Sequence, residues 1–273
     1  RGGHITPVLM IEPVNISGAL ISKVTAHYLK FLQDNQIGVG TKIKIIRSGE
    51  VIPKVVGVVD NHIEMPDFPL YCPNCQEPTV KNETFLKCVN INCLSQLSGK
   101  IIHFFKSLNV KGFGKKTSEK LVEYGINSIK EIYSMDIDDF VKTGLGKGQS
   151  KNLINELNNS LVNKYSDWQL LSAMGVMGLG RGDSKKLLKQ YDFAEIVNLT
   201  VDKISAIDGF GEIKAEKIVE GLNQNKELFY FILENFNIEE KKDKNPVESP
   251  VSGKRVVFTG KSSLPRAELF KMA

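Results

Sequence analysis

The run Gly112-Phe113-Gly114-Lys115-Lys116-Thr117-Ser118-Glu119-Lys120-Leu121 decides how the middle of this chain folds, because its opening triplet returns three more times. Gly144-Leu145-Gly146, Gly178-Leu179-Gly180 and Gly209-Phe210-Gly211 follow at intervals of 31 to 34 residues. Self-similarity at such a period marks repeated supersecondary units. Counted from the second glycine, the fourth residue is small each time (Ser118, Ser150, Ser184, Ala215) and the seventh is aliphatic (Leu121, Leu153, Leu187, Ile218). The small residue lets another helix come close, and the aliphatic one faces the core.

Each unit therefore reads as helix, tight glycine turn, helix. The apolar middle residue plugs the core, and the two glycines take conformations that a side chain would forbid. The amide hydrogens of such a turn point outward at the start of a helix, where the macrodipole adds positive potential, so a phosphate oxygen is the fitting partner. Lys115 and Lys116 reinforce the first turn, Lys147 the second and Arg181 the third, whereas the fourth carries Glu212. A protein-binding helical-repeat scaffold shares a period near 34 and is the alternative reading. Glycine on both sides of the apolar residue favours a grip on a nucleic-acid backbone that ignores base sequence.

Outward from the repeat, residues 98–237 show helical periods and no convincing strand, which predicts an all-α block. Just ahead of it stand all four cysteines, Cys72, Cys75, Cys88 and Cys93. Two close pairs separated by a twelve-residue gap can close a tetrahedron around one metal ion, and four thiolates leave no open position for catalysis. The spacing predicts a structural Zn2+ site over 69–97; four reduced cysteines without a metal are the alternative. With no other cysteine in the chain, a reducing compartment follows. His62 and His103 lie outside these knuckles and read as surface or packing residues.

The first 68 residues are rich in β-branched side chains. Alternation over Thr41-Lys42-Ile43-Lys44-Ile45-Ile46-Arg47 and the run Val55-Val56-Gly57-Val58-Val59 predict strands. Between the opening segment and these, residues 20–32 space their large apolar side chains as a helix would, with Asn35 and Gly38 as a stop. A short β-barrel carrying one helix fits that order. Residues 238–250, charged and punctuated by Pro246 and Pro250, read as a linker. After it, Lys254-Arg255-Val256-Val257-Phe258-Thr259-Gly260 reads as a strand entering a turn, with a helix starting near Arg266.

A net charge of +5 suits a polyanionic partner but is far from extreme. No apolar run reaches membrane-spanning length and no signal sequence opens the chain, so a cytoplasmic protein without a membrane partner is expected.

With two cysteine knuckles followed by four glycine hairpins, the chain resembles the C-terminal portion of bacterial-type NAD-dependent DNA ligases over essentially its whole length. Arg1-Gly2-Gly3-His4-Ile5-Thr6-Pro7-Val8, Glu12-Pro13-Val14 and Gly49-Glu50-Val51-Ile52-Pro53-Lys54-Val55-Val56 are similar to that family's OB-fold signatures. Cys72-Pro73-Asn74-Cys75 and Cys88-Val89-Asn90-Ile91-Asn92-Cys93 match its knuckles, with Leu94-Ser95 in place of the usual Pro-Ala. Gly253 to Gly260 resembles the first strand and turn of its BRCT domain, of which the 251–273 segment holds too little to fold alone. Met177-Gly178 departs from the family's basic or aromatic pair in the third hairpin.

The resemblance implies a multidomain chain: a small β-barrel of the OB-fold type over 1–68, N-terminally clipped, a four-cysteine zinc finger over 69–97, an all-α tandem helix-hairpin-helix domain over 98–237, a linker and a partial BRCT start. It implies that nicked double-stranded DNA is the partner, gripped through the glycine turns and, in the OB-fold, through Arg1 and the Gly49–Lys54 turn. Arg47 and Lys54 read equally well as phosphate contacts or as solvated strand charges. The family seals nicks through a lysine adenylated from NAD, with Mg2+, in a Lys-x-Asp-Gly motif that these 273 residues lack. NAD and Mg2+ would then be bound outside this chain, which alone should be inactive. The rest would come from a separate adenylation subunit or from a longer gene product, and the breaks inside recognisable domains favour the latter. A non-enzymatic hairpin module of a repair nuclease or junction-binding protein, and a zinc-ribbon scaffold for proteins, are the rival readings.

Overall fold

The computed structural model describes residues 2–49, 51–60, 68–82 and 84–239. Arg1, His62, linker residues 240–250 and the 251–273 segment lie outside the described residues.

The opening part is a half-barrel. Strands β2 (Val8–Ile16), β3 (Ala19–Thr25), β4 (Lys42–Ser48) and β5 (Ile52–Asp60) form one sheet in the order β2-β3-β5-β4. Neighbours pair antiparallel except at β3 and β5, which touch in parallel through Thr25 and Lys54. Helix α1 (Leu29–Asp34) follows β3, and its Leu32 joins a small core with Ile21, Val24, Ala26, Ile37 and Val55. The short β1 (His4–Ile5) stays out of this sheet and pairs with β7 (Leu86–Cys88), which in turn pairs with β6 (Thr79–Lys81).

The helix expected over residues 20–32 is thus strand up to Thr25 and helix only from Leu29. Ile21 and Val24, three apart, are both buried as they would be on a helix face. The cause is a bulge: the register to β2 jumps between Met10 and Val14, so the inward side changes part-way along β3. Bulges turn a strand's face in this way and hide its two-residue alternation. The stop is where it was expected, with Asn35 capping α1 and its side-chain amide donating to the Phe31 carbonyl.

Eleven helices, α1 included, and one 3₁₀ turn make up the helical content of the described residues. After α1 these are α2 (Leu94–Ser107), α3 (Lys115–Glu123), α4 (Ile129–Ser134), α5 (Ile137–Lys142), α6 (Lys147–Val162), α7 (Asp167–Ala173) and α8 (Arg181–Leu187). A 3₁₀ turn at Phe193–Asn198 then precedes α9 (Val201–Ser205), α10 (Glu212–Gln224) and α11 (Lys226–Asn235). One core runs through them from Ile101 to Phe236, and the four plug residues Phe113, Leu145, Leu179 and Phe210 all belong to it. Burying each such side chain contributes roughly 1.5–3 kcal/mol. Phe113 also stacks on Phe105 with ring centroids 3.7 Å apart.

The block is helical as expected, apart from one pair of two-residue strands. β8 (Lys164–Tyr165) runs parallel to β9 (Asn237–Ile238), and the Asn237 side chain donates to the Leu161 and Val162 carbonyls. Ile238 therefore closes the helical unit rather than opening the linker. Strands of two residues carry no readable alternation, so the pattern could not announce them. Among the described residues no helix is long and apolar enough to cross a membrane.

The hairpins work in pairs. The first glycine of each triplet is left-handed, with φ of +90° at Gly112, +83° at Gly144, +87° at Gly178 and +84° at Gly209. A Cβ on Gly112 would lie 2.5 Å from Leu153 Cδ2, and one on Gly178 would lie 3.2 Å from Ile218 Cγ1. Leu153 and Ile218 hold the same place, seventh after the second glycine, in hairpins two and four. The same close approach thus joins hairpin one to two and hairpin three to four. Gly112→Ala should lower the unfolding free energy by about 2 kcal/mol, from left-handed strain plus the clash with Leu153. Gly114→Ala should cost no more than about 1 kcal/mol; denaturant unfolding of both variants measures the difference.

Candidate nucleic-acid interface and metal centre

The second glycine of each triplet differs from the first. Gly114, Gly146, Gly180 and Gly211 have φ between −70° and −80° with extended ψ, a conformation open to any residue. A Cβ there would meet nothing within 4 Å. The expectation that both glycines need forbidden conformations is therefore corrected: only the first does. What the second glycine leaves is bare space over the first turn of α3, α6, α8 and α10, each of which it N-caps without a side-chain hydrogen bond.

Three other helix starts in the same block, those of α4, α5 and α9, are closed by side chains. Ser128 with Glu131 and Asp136 with Asp139 form capping boxes on α4 and α5, and Thr200 accepts from the Lys203 amide on α9. Such caps satisfy amides that the helix itself cannot. A sequence that caps α4, α5 and α9 and places glycine at α3, α6, α8 and α10 leaves these last amides open to a ligand. An anion is the ligand that aligned amides and a helix dipole favour.

The first pair of hairpins is the more basic. Lys115, Lys116 and Lys147 are all exposed beside the first two turns. Lys115 is loosely paired with Glu119 at 3.8 Å, which leaves its side chain 80% exposed. Gln149 donates to the Thr117 hydroxyl at 3.2 Å, and these two residues stand third after their second glycines. In the second pair the same two places hold Asp183 and Lys214, joined by a 2.7 Å salt bridge. Lys214 also lies over the Phe210 ring at 4.5 Å. Arg181 is exposed as expected, and Glu212, exposed as well, lines a groove of about 550 Å³ with Met177, Ile213 and Lys217.

Sequence reading passed over two neighbours of the third turn. His103 and Lys106 line a cleft of about 280 Å³ with Gly180 and Arg181. His103 contacts the Ser172 carbonyl through Nε2 at 2.9 Å. Both residues come from α2, far from the third triplet in sequence, so no local pattern could connect them.

On the half-barrel, Lys54 is exposed and next to the buried Val55. Arg47 instead donates through Nη1 to the Ile16 and Ser17 carbonyls at 3.2 and 3.0 Å. Its guanidinium thereby ties β4 to the β2–β3 turn.

The four cysteine sulfurs lie within 4.8 Å of one another, and Cys75 and Cys88 are 3.6 Å apart. Sulfurs held about 2.3 Å from a common tetrahedral centre would be about 3.8 Å apart, so the donor set fits one metal ion. Cys72, Cys88 and Cys93 are buried. The Glu77 amide brings the Cys75 thiol down to about 7, while burial pushes Cys88 up to about 12 and raises Cys93. Burial of this kind works against thiolates until a cation joins them.

The quartet is also wired to both flanking parts. Cys93 N-caps α2, and Asn74 accepts from the Ser95 amide at 3.0 Å, so Leu94-Ser95 keeps the two knuckles joined. Gln96 donates to the Cys88 and Asn90 carbonyls. The Cys88 amide donates to the Gly3 carbonyl at 2.8 Å, extending the β1–β7 pairing. A Cβ on the left-handed Gly3 would collide with the Cys88 carbonyl.

Residues 1–65 match the NAD-dependent DNA ligase OB-fold domain, and residues 106–159 and 170–224 each match the SAM-like helix-hairpin-helix tandem. The two latter segments are the two hairpin pairs. Among curated proteins, a DNA ligase of Desulfatibacillum aliphaticivorans is 41% identical over 95% of this chain and 42% of its own length. One from Vesicomyosocius okutanii is 40% identical over 100% of the chain and 44% of its own length. One from Helicobacter hepaticus is 33% identical, with 100% and 43% covered. The chain spans less than half the length of these relatives.

Metal uptake by the quartet should be one ion per chain and should shield all four thiols from alkylation. Cys88→Ser should leave the remaining three reactive; mass spectrometry after thiol labelling reads both results.

Proposed function

Since it shares the ligase OB-fold domain, the hairpin tandem and its whole length with proteins named DNA ligase, we infer that this chain is the DNA-gripping portion of a NAD-dependent DNA ligase. The observation that carries the reading is the row of second glycines, which the fold does not need and which leave helix-start amides bare. Amides in that setting take phosphate oxygens without regard to base sequence. Gly112, Gly114, Gly144, Gly146, Gly178, Gly180, Gly209 and Gly211 form the turns, and Lys115, Lys116, Lys147 and Arg181 add charge. Lys54, with Arg1, is assigned to the half-barrel's side of the duplex, while Arg47 holds the β2–β3 turn.

No residue of this chain takes a covalent step. The adenylated lysine, NAD and Mg2+ belong to an adenylation part supplied by the rest of a longer protein or by a separate subunit. The contribution of the chain is to hold a nicked duplex in line for that part, and positioning is a large share of phosphoryl-transfer catalysis. Zn2+ is the ion assigned to the four cysteines, where it would hold the half-barrel and the hairpins in one arrangement and take no part in chemistry. Nick sealing in replication and repair, in the cytoplasm, and a BRCT start over 251–273 complete the assignment.

Binding to nicked duplex should be in the range of about 10⁻⁴ to 10⁻⁶ M at physiological salt, steeply salt-dependent and equal for scrambled sequences. Gly114→Val with Gly146→Val should weaken it by about a hundredfold, because each valine methyl pair covers one set of amides. Fluorescence anisotropy measures both, and unchanged binding by the double variant would favour a protein-binding scaffold. Mixing the chain with an adenylation domain, NAD and a nicked duplex should give sealed product; a non-enzymatic hairpin module would bind and seal nothing.

A further inference from the structure

Two lysines outside the basic residues already assigned occupy matching places in the two hairpin pairs. Lys120 and Lys186 are each sixth after the second glycine of an odd-numbered hairpin, in the last turns of α3 and α8. Lys120 Nζ donates to the carbonyl of Gly144, the left-handed first glycine of hairpin two. Lys186 Nζ lies over Gly209, the left-handed first glycine of hairpin four, so close that a Cβ there would be 2.8 Å from it. The Gly209 carbonyl itself is reached by Lys214 Nζ at 3.4 Å. Two ammonium groups at the same offset, each on the same glycine of the partner hairpin, are a repeated device and not a chance surface contact.

The contact completes an exchange within each pair. Hairpin one lends its bare glycine to the aliphatic side chain of hairpin two, and hairpin two has its own glycine covered by the lysine of hairpin one. A left-handed glycine is the most adjustable residue in a turn. In the first pair the charge-assisted bond from Lys120 to the Gly144 carbonyl removes that freedom before any ligand arrives, and in the second Lys186 packs over Gly209 while Lys214 reaches its carbonyl. Preorganised donors bind more tightly because less ordering remains to be done.

We propose that Lys120 and Lys186 are positioning residues of the phosphate grip, each fixing the partner hairpin's first glycine so that the amides that follow the second glycine are preset for the DNA backbone. The proposal rests on the DNA-gripping reading given above. It assigns these lysines a role without phosphate contact, unlike Lys115 and Lys147.

The discriminating measurement is the salt dependence of binding to nicked duplex, made on the metal-loaded chain. Lys120→Met should weaken binding about tenfold while leaving the slope of log K against log salt unchanged, since no phosphate contact is lost. Lys120→Arg, which keeps a charged donor, should restore most of the loss. Lys115→Met should instead lower the slope by about one. In the free protein, exchange of the hydrogen-bonded amide of Ser150, which donates to the Gly146 carbonyl, should quicken in Lys120→Met, and Lys186→Met should act likewise on Ala215, which donates to the Gly211 carbonyl. Unchanged affinity and exchange in Lys120→Met would overturn the positioning role while leaving DNA binding intact. A slope reduced by about one in Lys120→Met would also overturn it, making the lysine a direct contact. Failure of the wild-type chain to bind any duplex would remove both readings.

Discussion

A bare Cα pressed against an aliphatic side chain holds the helical part together. Gly112 meets Leu153 and Gly178 meets Ile218 where a Cβ would not fit, and all four first glycines adopt φ values that other residues rarely hold. That contact locks two hairpins into one unit and places four helix starts at the surface with no side chain over them. Division of labour within each triplet follows. The first glycine serves the fold, the apolar residue serves the core, and the second glycine leaves the helix start bare.

The cysteine quartet extends this order to the half-barrel. Through Cys93 it begins α2, and through the Cys88 amide it holds Gly3 and the strand that opens the chain. Short modules with few apolar residues depend on a metal for their shape, and the cluster of Cys72, Cys88 and Cys93 has only Ile5 and Cys75 packed against it among the described residues. If an ion is bound by the quartet, as proposed above, its loss would free β1 first and leave the hairpin core, with its large aromatic content, standing.

Much of this was legible because it is local. The triplets, the small residue four places on and the aliphatic residue seven places on lie within one turn and one helix, and the cysteine pairs are equally close in sequence. What escaped were relations at a distance or below the length that periodicity needs. The bulge in β2 gave Ile21 and Val24 the spacing of a helix face, and β8 and β9 are too short to alternate. The bond from Arg47 to the β2–β3 turn and the approach of His103 and Lys106 to the third hairpin depend on how separate elements meet. Lys120 and Lys186 look like ordinary surface lysines until the structure puts a glycine under each.

The most direct measurement of the central claim is a nuclear magnetic resonance titration of the metal-loaded, ¹⁵N-labelled chain with a nicked duplex. The account predicts that the largest amide shifts fall on the first helical residues after the second glycines, led by Lys115, Lys116, Lys147 and Gly148. Shifts confined to the half-barrel, with those four amides unmoved at saturation, would contradict it.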